Sequence, residues 1–228
     1  MAKNYYNDEI IAKFRKALDD AKADVLAGKV TAVSISKGNV KMGAVPSVST
    51  LPFFTCPAIC KGTCGKECYA AKIANLRTSV LISYARNTAL MMLKPDLYWQ
   101  GVIYAMAGTR FFRFHVSGDI PNKAYFENMI DACRKNSHCQ VLTFTKRFDV
   151  VNAWIDENGD LPENLHILFS GWEDMTPDNP HTLPETNVYS ESPADNWLLC
   201  GGNCFECGCR GVGCWQAKKG DIIAFKKH

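Results

Sequence analysis

Apolar residues between positions 8 and 27 recur at steps of three and four, which is the spacing of one face of an α-helix. The repeating positions are Ile10, Ile11, Phe14, Ala17, Leu18, Ala21 and Val25. Gly28 follows them, where a glycine commonly ends a helix. The pattern predicts an amphipathic helix within an N-terminal segment, residues 1–28.

Further along the chain, stretches with the pattern of strands alternate with stretches that have the pattern of helices. Strands are predicted at 30–36, 110–116, 139–145, 165–170 and 187–190, and helices at 69–92, 96–107, 122–135 and 150–155. Gly and Pro between 37 and 55 predict a loop or short hairpin, and 176–184 and 201–213 are predicted to be loops. Strands that alternate with helices imply a parallel sheet. We therefore expect a single α/β domain over residues 1–228, shaped as a partial (β/α) barrel or an open curved sheet with cysteine-rich loops at its strand ends.

Composition and charge narrow the class of protein. With 228 residues, 47% of them hydrophobic, the chain can bury a sizeable core. A net charge of +3 is too mild to require a nucleic-acid partner. No apolar run reaches the roughly 18 residues that span a bilayer, and the acidic residues Asp8, Glu9 and Asp19 do not fit an export signal. We expect a cytoplasmic protein with no membrane partner.

Nine of the eleven cysteines fall into two groups. The first cysteine group is Cys56, Cys60, Cys64 and Cys68, and the second cysteine group is Cys200, Cys204, Cys207, Cys209 and Cys214. Disulfides are disfavoured because no export signal is expected and neighbouring pairs would close only tiny loops. Thiolates are soft ligands for Zn(II) and for iron–sulfur clusters. The two groups therefore predict metal binding, while Cys133 and Cys139 lie outside them and are expected to be buried as small apolar side chains.

In the first cysteine group, a thiol occurs at every fourth position of a loop that enters a predicted helix. The free N–H groups at the start of a helix can donate to cluster sulfides and stabilise negative charge. This favours a 4Fe–4S cluster. A zinc knuckle that holds two loops together is the alternative, and spacing does not separate the two.

The second cysteine group offers five thiols in fifteen residues, and four would complete a closed site. The glycines between them permit the positive φ angles and close backbone approach that wrapping around a metal requires. A second iron–sulfur cluster and a zinc site that pins a tail, residues 196–228, both remain open, as does one centre shared by the two groups. Trp197 and Trp215 flank this group and are expected to shield it from water.

His115 and Asp119 lie at the end of a predicted strand, where side chains often do chemistry in α/β folds. His115 could act as an acid, a base or a ligand, and a buried structural histidine is the alternative. Thr145-Lys146-Arg147, at the end of the next strand, could bind a phosphate or a carboxylate. We take His115 and Asp119 as candidate catalytic residues.

Several motifs together resemble the phage gene product eighty-eight family, over roughly residues 31–228. They are Ser36-Lys37-Gly38-Asn39 with Lys41, Gly43 and Pro46, then Ser49 to Pro52, Thr55-Cys56-Pro57, Cys68-Tyr69-Ala70, His115-Val116-Ser117-Gly118-Asp119, Thr145-Lys146-Arg147 and Cys214-Trp215. The resemblance implies a phage protein that acts in the cytoplasm of the host.

More distantly, the layout is similar to radical S-adenosylmethionine (SAM) enzymes, where a cysteine loop after the first barrel strand holds a 4Fe–4S cluster. That resemblance implies a radical SAM-type barrel in which Ser117, Gly118 and Asp119 contact the amino group of SAM. The spacing differs, because Cys60, Cys64 and Cys68 follow C-x3-C-x3-C instead of C-x3-C-x2-C. The leading hypothesis is an iron–sulfur enzyme that uses SAM on an unknown substrate. The alternative is a non-catalytic, zinc- or cluster-stabilised protein that binds a host protein or nucleic acid.

Overall fold

A single sheet of eight strands organises the computed structural model, which describes residues 4–173 and 175–227. The strands are β1 (Ile35–Ser36), β2 (Ser47–Val48), β3 (Phe111–Phe114), β4 (Gln140–Thr145), β5 (Leu165–Ser170), β6 (Glu185–Tyr189), β7 (Leu198–Leu199) and β8 (Ile222–Lys226). Their order across the sheet is β1-β2-β3-β4-β5-β6-β8-β7. All neighbours are parallel except β1 and β2, which form the short hairpin expected from the sequence. The α/β class and the mainly parallel sheet are confirmed.

Seven helices accompany these strands in the described part of the chain. They are α1 (Asp8–Leu26), α2 (Tyr69–Leu76), α3 (Thr78–Leu93), α4 (Pro95–Ala107), α5 (Lys123–Lys135), α6 (Phe148–Asn158) and α7 (Cys204–Arg210). Among the described residues, none of these helices is both long enough and apolar enough to cross a membrane.

The two faces of the sheet bury different cores, because successive strand residues point to opposite faces. On β3, Phe112 and Phe114 enter the larger core with buried residues of α1 to α6. Phe111, from the same strand, enters a smaller core on the second face. The other buried members of the smaller core are Met42, Val45, Leu142, Leu168, Trp215 and Ile223. The cysteine-rich tail therefore covers the face that the first six helices leave open.

The sheet is open in the part of the chain that the structure describes. β1 pairs only with β2 and β7 only with β8, so these strands form no closed barrel. The loop after β2 nevertheless reaches the far side of the sheet, since Lys227 Nζ lies 3.2 Å from the Glu67 carboxylate. In the order of the sheet, β8 is the fifth strand from β2. This loop, which contains the first cysteine group, therefore lies across the carboxyl ends of the strands.

The predicted helix at 69–92 is wrong in one respect, because it is two helices. Arg77 is extended, with φ −122° and ψ 103°, and it ends α2 and begins α3. No Gly or Pro marks the break in the sequence, so periodicity alone misses it. Lys13 of α1 donates to the backbone oxygen of Asn75 at 2.8 Å, which satisfies a free carbonyl at the end of α2.

The prediction of a loop at 201–213 is also wrong, because α7 lies inside it. The Asn203 side chain accepts the Glu206 N–H at 3.2 Å and caps the helix, and Gly211 ends it at φ +61°. The predicted strand at 30–36 is shortened to β1. The pattern also gave no signal for β7 or for β8, which lies between β6 and β7 in the sheet.

The buried side chain of Asn87 joins α3 to the β1–β2 hairpin. Its amide donates to the backbone oxygens of Ser34 and Ser49, at 2.9 Å each, and its oxygen accepts the Ser34 N–H at 2.7 Å. We expect Asn87→Ala to lower the free energy of unfolding by about 2 kcal/mol, since it leaves buried groups unpaired. Urea denaturation measures this. Asn128→Ala is the matched control, because that amide is exposed on α5; an equal loss in both variants would contradict the bridging role.

Candidate functional site

The first cysteine group lies in the loop between β2 and α2, at the carboxyl edge of the sheet. Cys60 belongs to a 3-10 turn, Ala58–Lys61, and Cys68 caps the start of α2, where its sulfur accepts the Ala71 N–H at 3.4 Å. Gly65 donates its N–H to the Cys60 oxygen at 2.7 Å, and a Cβ at Gly65 would lie 2.4 Å from that oxygen. The turn that brings Cys64 back beside Cys60 therefore needs glycine at position 65.

The thiols of this loop affect one another's pKa. An interaction with Cys56 and burial raise the pKa of Cys60, and an interaction with Cys64 opposes them. An interaction with Cys60 and burial raise the pKa of Cys64, and burial raises the pKa of Cys68 to about 11. Without a metal, Cys60, Cys64 and Cys68 are therefore neutral thiols at pH 7.

The buried carboxylate of Asp119 connects the ends of β3 and β4 beside this loop. It accepts the Ile120 N–H at 2.8 Å, the Thr145 hydroxyl at 2.6 Å and the Lys146 N–H at 2.9 Å. Burial raises the pKa of Asp119, and these three hydrogen bonds act in the opposite direction. The negative charge of Asp119 also contributes to the raised pKa of Cys60. The structure thus brings Asp119 next to the first cysteine group.

The Ser117-Gly118-Asp119 turn is fixed against the same loop. Ser117 Oγ donates to the Thr50 oxygen at 2.9 Å. Gly118 has φ +81°, and a Cβ there would lie 2.0 Å from Thr50 Oγ1 and 2.5 Å from Thr55 Oγ1. Only glycine fits this position, for both reasons. The turn thus packs against Thr50 and Thr55, which precede the first cysteine group, and its contact with a cofactor stays a prediction.

Lys146 is a site residue whose role the sequence did not reveal. It is 8% exposed, and its Nζ donates to the backbone oxygen and the hydroxyl of Ser170, at 2.9 and 2.7 Å. The ammonium lies 5.9 Å from the centre of the Trp172 ring. Its charge acts against the raised pKa of Cys64 and Cys68 described above. A buried positive charge is therefore held beside the first cysteine group.

The triplet Thr145-Lys146-Arg147 does not act as one binding motif in this structure. Thr145 binds Asp119, whereas the Arg147 guanidinium donates to the Asp149 carboxylate at 2.8 Å and to the Pro121 oxygen at 2.6 Å. Of the three, Lys146 is the residue whose charge acts on the thiols of Cys64 and Cys68.

His115 faces the larger core. Its Nε2 lies 3.1 Å from the Tyr125 hydroxyl, and its Nδ1 lies 3.3 Å from Thr143 Oγ1. The Tyr125 hydroxyl in turn lies 2.9 Å from that of Tyr98. Burial lowers the pKa of His115 to about 3. The structure thus places His115 as a neutral, hydrogen-bonded core residue, and its predicted catalytic role stays untested.

The second cysteine group surrounds α7 on the opposite face of the sheet. Cys200 follows β7, Cys204 and Cys207 belong to α7, and Cys214 lies in a 3-10 turn, Gly213–Trp215. Burial raises the pKa of Cys214 to about 12, and smaller increases come from Cys200, Cys204 and Cys207. Those four thiols are therefore neighbours, whereas Cys209 is exposed and lines a surface pocket with Arg110 and His138.

The two cysteine groups pack against different cores, since Cys68 contacts the larger one and Cys204, Cys207 and Cys214 contact the smaller one. A single shared centre is therefore disfavoured. In this arrangement, no three His, Cys, Asp or Glu side chains within residues 4–173 and 175–227 are placed so that they could hold a metal ion. 

Two other expectations concern residues near these groups. Cys133 and Cys139 are fully buried, as expected. Trp215 is buried against Phe111, and its Nε1 donates to the Cys204 oxygen at 2.8 Å, which agrees with a shielding role.

The buried His115 imidazole makes stability depend on pH. Its folded pKa, about 3, lies below the ordinary 6.5, so the unfolded chain binds the proton more tightly. The contribution of His115 to stability is therefore present above pH 6.5 and is lost as the pH falls toward 3. We expect this term to lower the free energy of unfolding by about 2 kcal/mol between pH 7.5 and pH 5. His115→Gln should flatten that part of the profile in urea titrations, and a variant slope equal to that of the unmodified chain would contradict this account.

The comparisons with known proteins give one match. No curated protein and no solved structure matches the chain. The model of one family, described as Gene product 88, matches residues 12–200, which include the whole first cysteine group and end at Cys200. The likeness to radical SAM enzymes is not supported by these comparisons. Since the match covers well over half of the chain, the protein belongs to the Gene product 88 family.

Proposed function

We propose that this protein binds a 4Fe–4S cluster through its first cysteine group. The observation that carries the proposal is the placement of four thiols in one short loop, in which Cys56 and Cys64 are near enough to Cys60 to shift its pKa and Cys68 caps the start of α2. Closely spaced thiolates are the usual ligands of such clusters. Metal binding would displace the thiol protons, so affinity should increase with pH.

The surroundings of the thiols suit an anionic metal centre. Four thiolates around a 4Fe–4S core of charge +2 leave a net charge of about −2. The Ala71 N–H, which donates to the Cys68 sulfur, and the Lys146 ammonium, whose charge acts on Cys64 and Cys68, would offset that charge.

Thiolates on a cluster bind separate irons, so the sulfurs need not converge on one point as they must around zinc. The sulfurs do not converge on one ion in the described residues. To bind a cluster, each thiol would therefore need to reach only its own iron. A zinc ion bound at the same site is the alternative.

Single substitutions test the cluster. We expect Cys64→Ala and Cys68→Ala to lose most of the iron and acid-labile sulfide that anaerobically purified protein contains. Cys139→Ala is the matched control, because that thiol is buried outside both groups. Full iron retention in both the Cys64 and Cys68 variants would overturn the proposal.

The finer proposal is that the cluster binds SAM and generates a radical on an unknown substrate. Three of the four thiols would hold the cluster and leave one iron open for SAM. The Ser117-Gly118-Asp119 turn, which packs against the cysteine loop, would then bind the amino group of SAM. Asp119 would supply a charge-assisted hydrogen bond.

Calorimetry on cluster-loaded protein tests SAM binding. We expect Asp119→Asn, which removes the charge and keeps the size of the side chain, to weaken binding by about ten- to a hundredfold. Asp119→Ala should weaken it at least as much. If SAM shows no detectable binding to the unmodified chain, the proposal of radical SAM chemistry is overturned, whereas the proposal of a cluster still stands.

A second candidate function is a metal-stabilised, non-catalytic protein that binds a host protein or nucleic acid. One observation favours it: Tyr69, Ile73 and Leu76 expose an apolar stripe along α2, next to the first cysteine group. Iron and acid-labile sulfide separate the functions, because a colourless zinc protein that binds no SAM would favour this one.

A further inference from the structure

We infer that Cys200, Cys204, Cys207 and Cys214 form a second, closed metal site with four thiolate ligands, that Cys209 is not part of it, and that Arg113 is its charge partner. The ligand class is a thiophilic metal centre, either Zn(II) or an iron–sulfur cluster. The inference does not depend on a cluster at the first cysteine group.

Backbone contacts bring three chain segments together at the Cys207 sulfur. A Cβ at Gly201 would lie 3.0 Å from this sulfur, and a Cβ at Gly213 would lie 3.6 Å from it. Cys200 and Cys214 are the chain neighbours of these glycines, so their segments flank Cys207 on two sides. The Gly202 N–H also donates to the Cys200 sulfur at 3.4 Å, as backbone amides do to thiolate ligands.

Helix geometry selects Cys204 and rejects Cys209. Residues on an α-helix are rotated by about 100° each. Cys204 therefore lies about 60° from Cys207 and shares its side of α7, whereas Cys209 lies about 160° from Cys207. The exposed thiol of Cys209 lines the pocket with Arg110 and His138 on the outer side of α7.

The surroundings of Arg113 indicate independently that the second cysteine group binds metal in an anionic form. Arg113 is 8% exposed, and its guanidinium stacks over the Phe144 ring at 4.6 Å and donates from Nη1 to the Cys204 sulfur at 3.6 Å. Its buried Nε has no hydrogen-bond partner in the part of the chain that the structure describes. Burying a guanidinium without an anion beside it is costly.

Metal binding would remove that cost. The four sulfurs do not converge on one ion in the described residues, so binding would require their side chains to rotate toward one another. Four thiolates around Zn(II), or around an iron–sulfur core of charge +2, leave a net charge of about −2. Arg113 would then face an anion. The site would also hold α7 and Trp215 against the smaller core, so the bound metal would stabilise the whole tail.

Metal content of the full chain tests the ligand set. Cys207→Ser, Cys214→Ser and the matched control Cys209→Ser are purified anaerobically, and zinc, iron and acid-labile sulfide are measured per chain. We expect one metal centre to be lost in the first two variants and kept in the control. Loss of zinc alone identifies a zinc site, and loss of iron with sulfide identifies a cluster. Equal loss in the Cys209 variant, or no loss in any variant, would overturn the inference.

The Cys64→Ala variant distinguishes failure of the second site from failure of the cluster proposed at the first cysteine group. We expect it to lose the metal of the first cysteine group and to keep the metal that depends on Cys207. A chain without a cluster at the first group can therefore still support the second site.

Metal retention against a chelator tests the role of Arg113 separately. We expect Arg113→Met to weaken metal retention against a competing chelator by about ten- to a hundredfold, as loss of a group that contacts a metal ligand commonly does. Arg113→Lys should restore part of it, since it keeps the charge without the planar fork. Retention by Arg113→Met equal to that of the unmodified chain would reject Arg113 as the charge partner.

Discussion

The buried carboxylate of Asp119 is the interaction on which the arrangement of the strand ends depends. A carboxylate that is buried loses its hydrogen bonds to water. Two backbone N–H groups and the Thr145 hydroxyl replace them here. Those bonds join the end of β3 to the end of β4. They also place Lys146 so that its side chain turns across to Ser170 on β5. Three strand ends, and the cysteine loop above them, are thereby held in one arrangement.

The alternation of side chains along β3 explains how one sheet carries two separate cysteine groups. Phe112 and Phe114 bury the helix side, while Phe111 and Arg113 face the tail. The shape of the tail depends on this second set, because Gly208 of α7 lies directly against the Phe111 ring: a Cβ there would be 2.7 Å from it. The first group therefore depends on the ends of the strands, and the second depends on their faces.

Sequence patterns predicted the elements whose stability comes from one apolar face. The 3.6-residue period of α1 is such a case, since Ile10, Phe14 and Leu18 are buried as expected. The pattern failed where other forces decide. Arg77 breaks a periodic helix without Gly or Pro, and α7 is a glycine- and cysteine-rich helix that depends on the Asn203 cap and on contacts with β3.

The candidate sites, like the helices and strands, were predicted from the sequence only in part. Cysteine spacing located both groups, because ligands that are close in sequence need little long-range information. It did not separate Cys209 from the other four thiols, since that distinction depends on α7 being a helix. Nor did it identify Lys146 or Arg113, whose positions beside the sulfurs depend on side-chain directions in the folded sheet.

Lys146 and Arg113 make the two groups alike in one physical respect. Each is a buried cation beside thiols that are neutral in the absence of metal, because burial or neighbouring thiols raise the pKa of Cys64, Cys68 and Cys214. A buried cation destabilises the fold unless an anion balances it, and the Asp119 carboxylate already acts on Lys146 in this way. Thiolates on a soft metal would provide an anion beside Arg113 and a further one beside Lys146, and the proton released by each thiol would go to solvent. The two metal centres proposed above, one at the strand ends and one on the face that the tail covers, therefore share an electrostatic basis that is independent of the spacing of the cysteines.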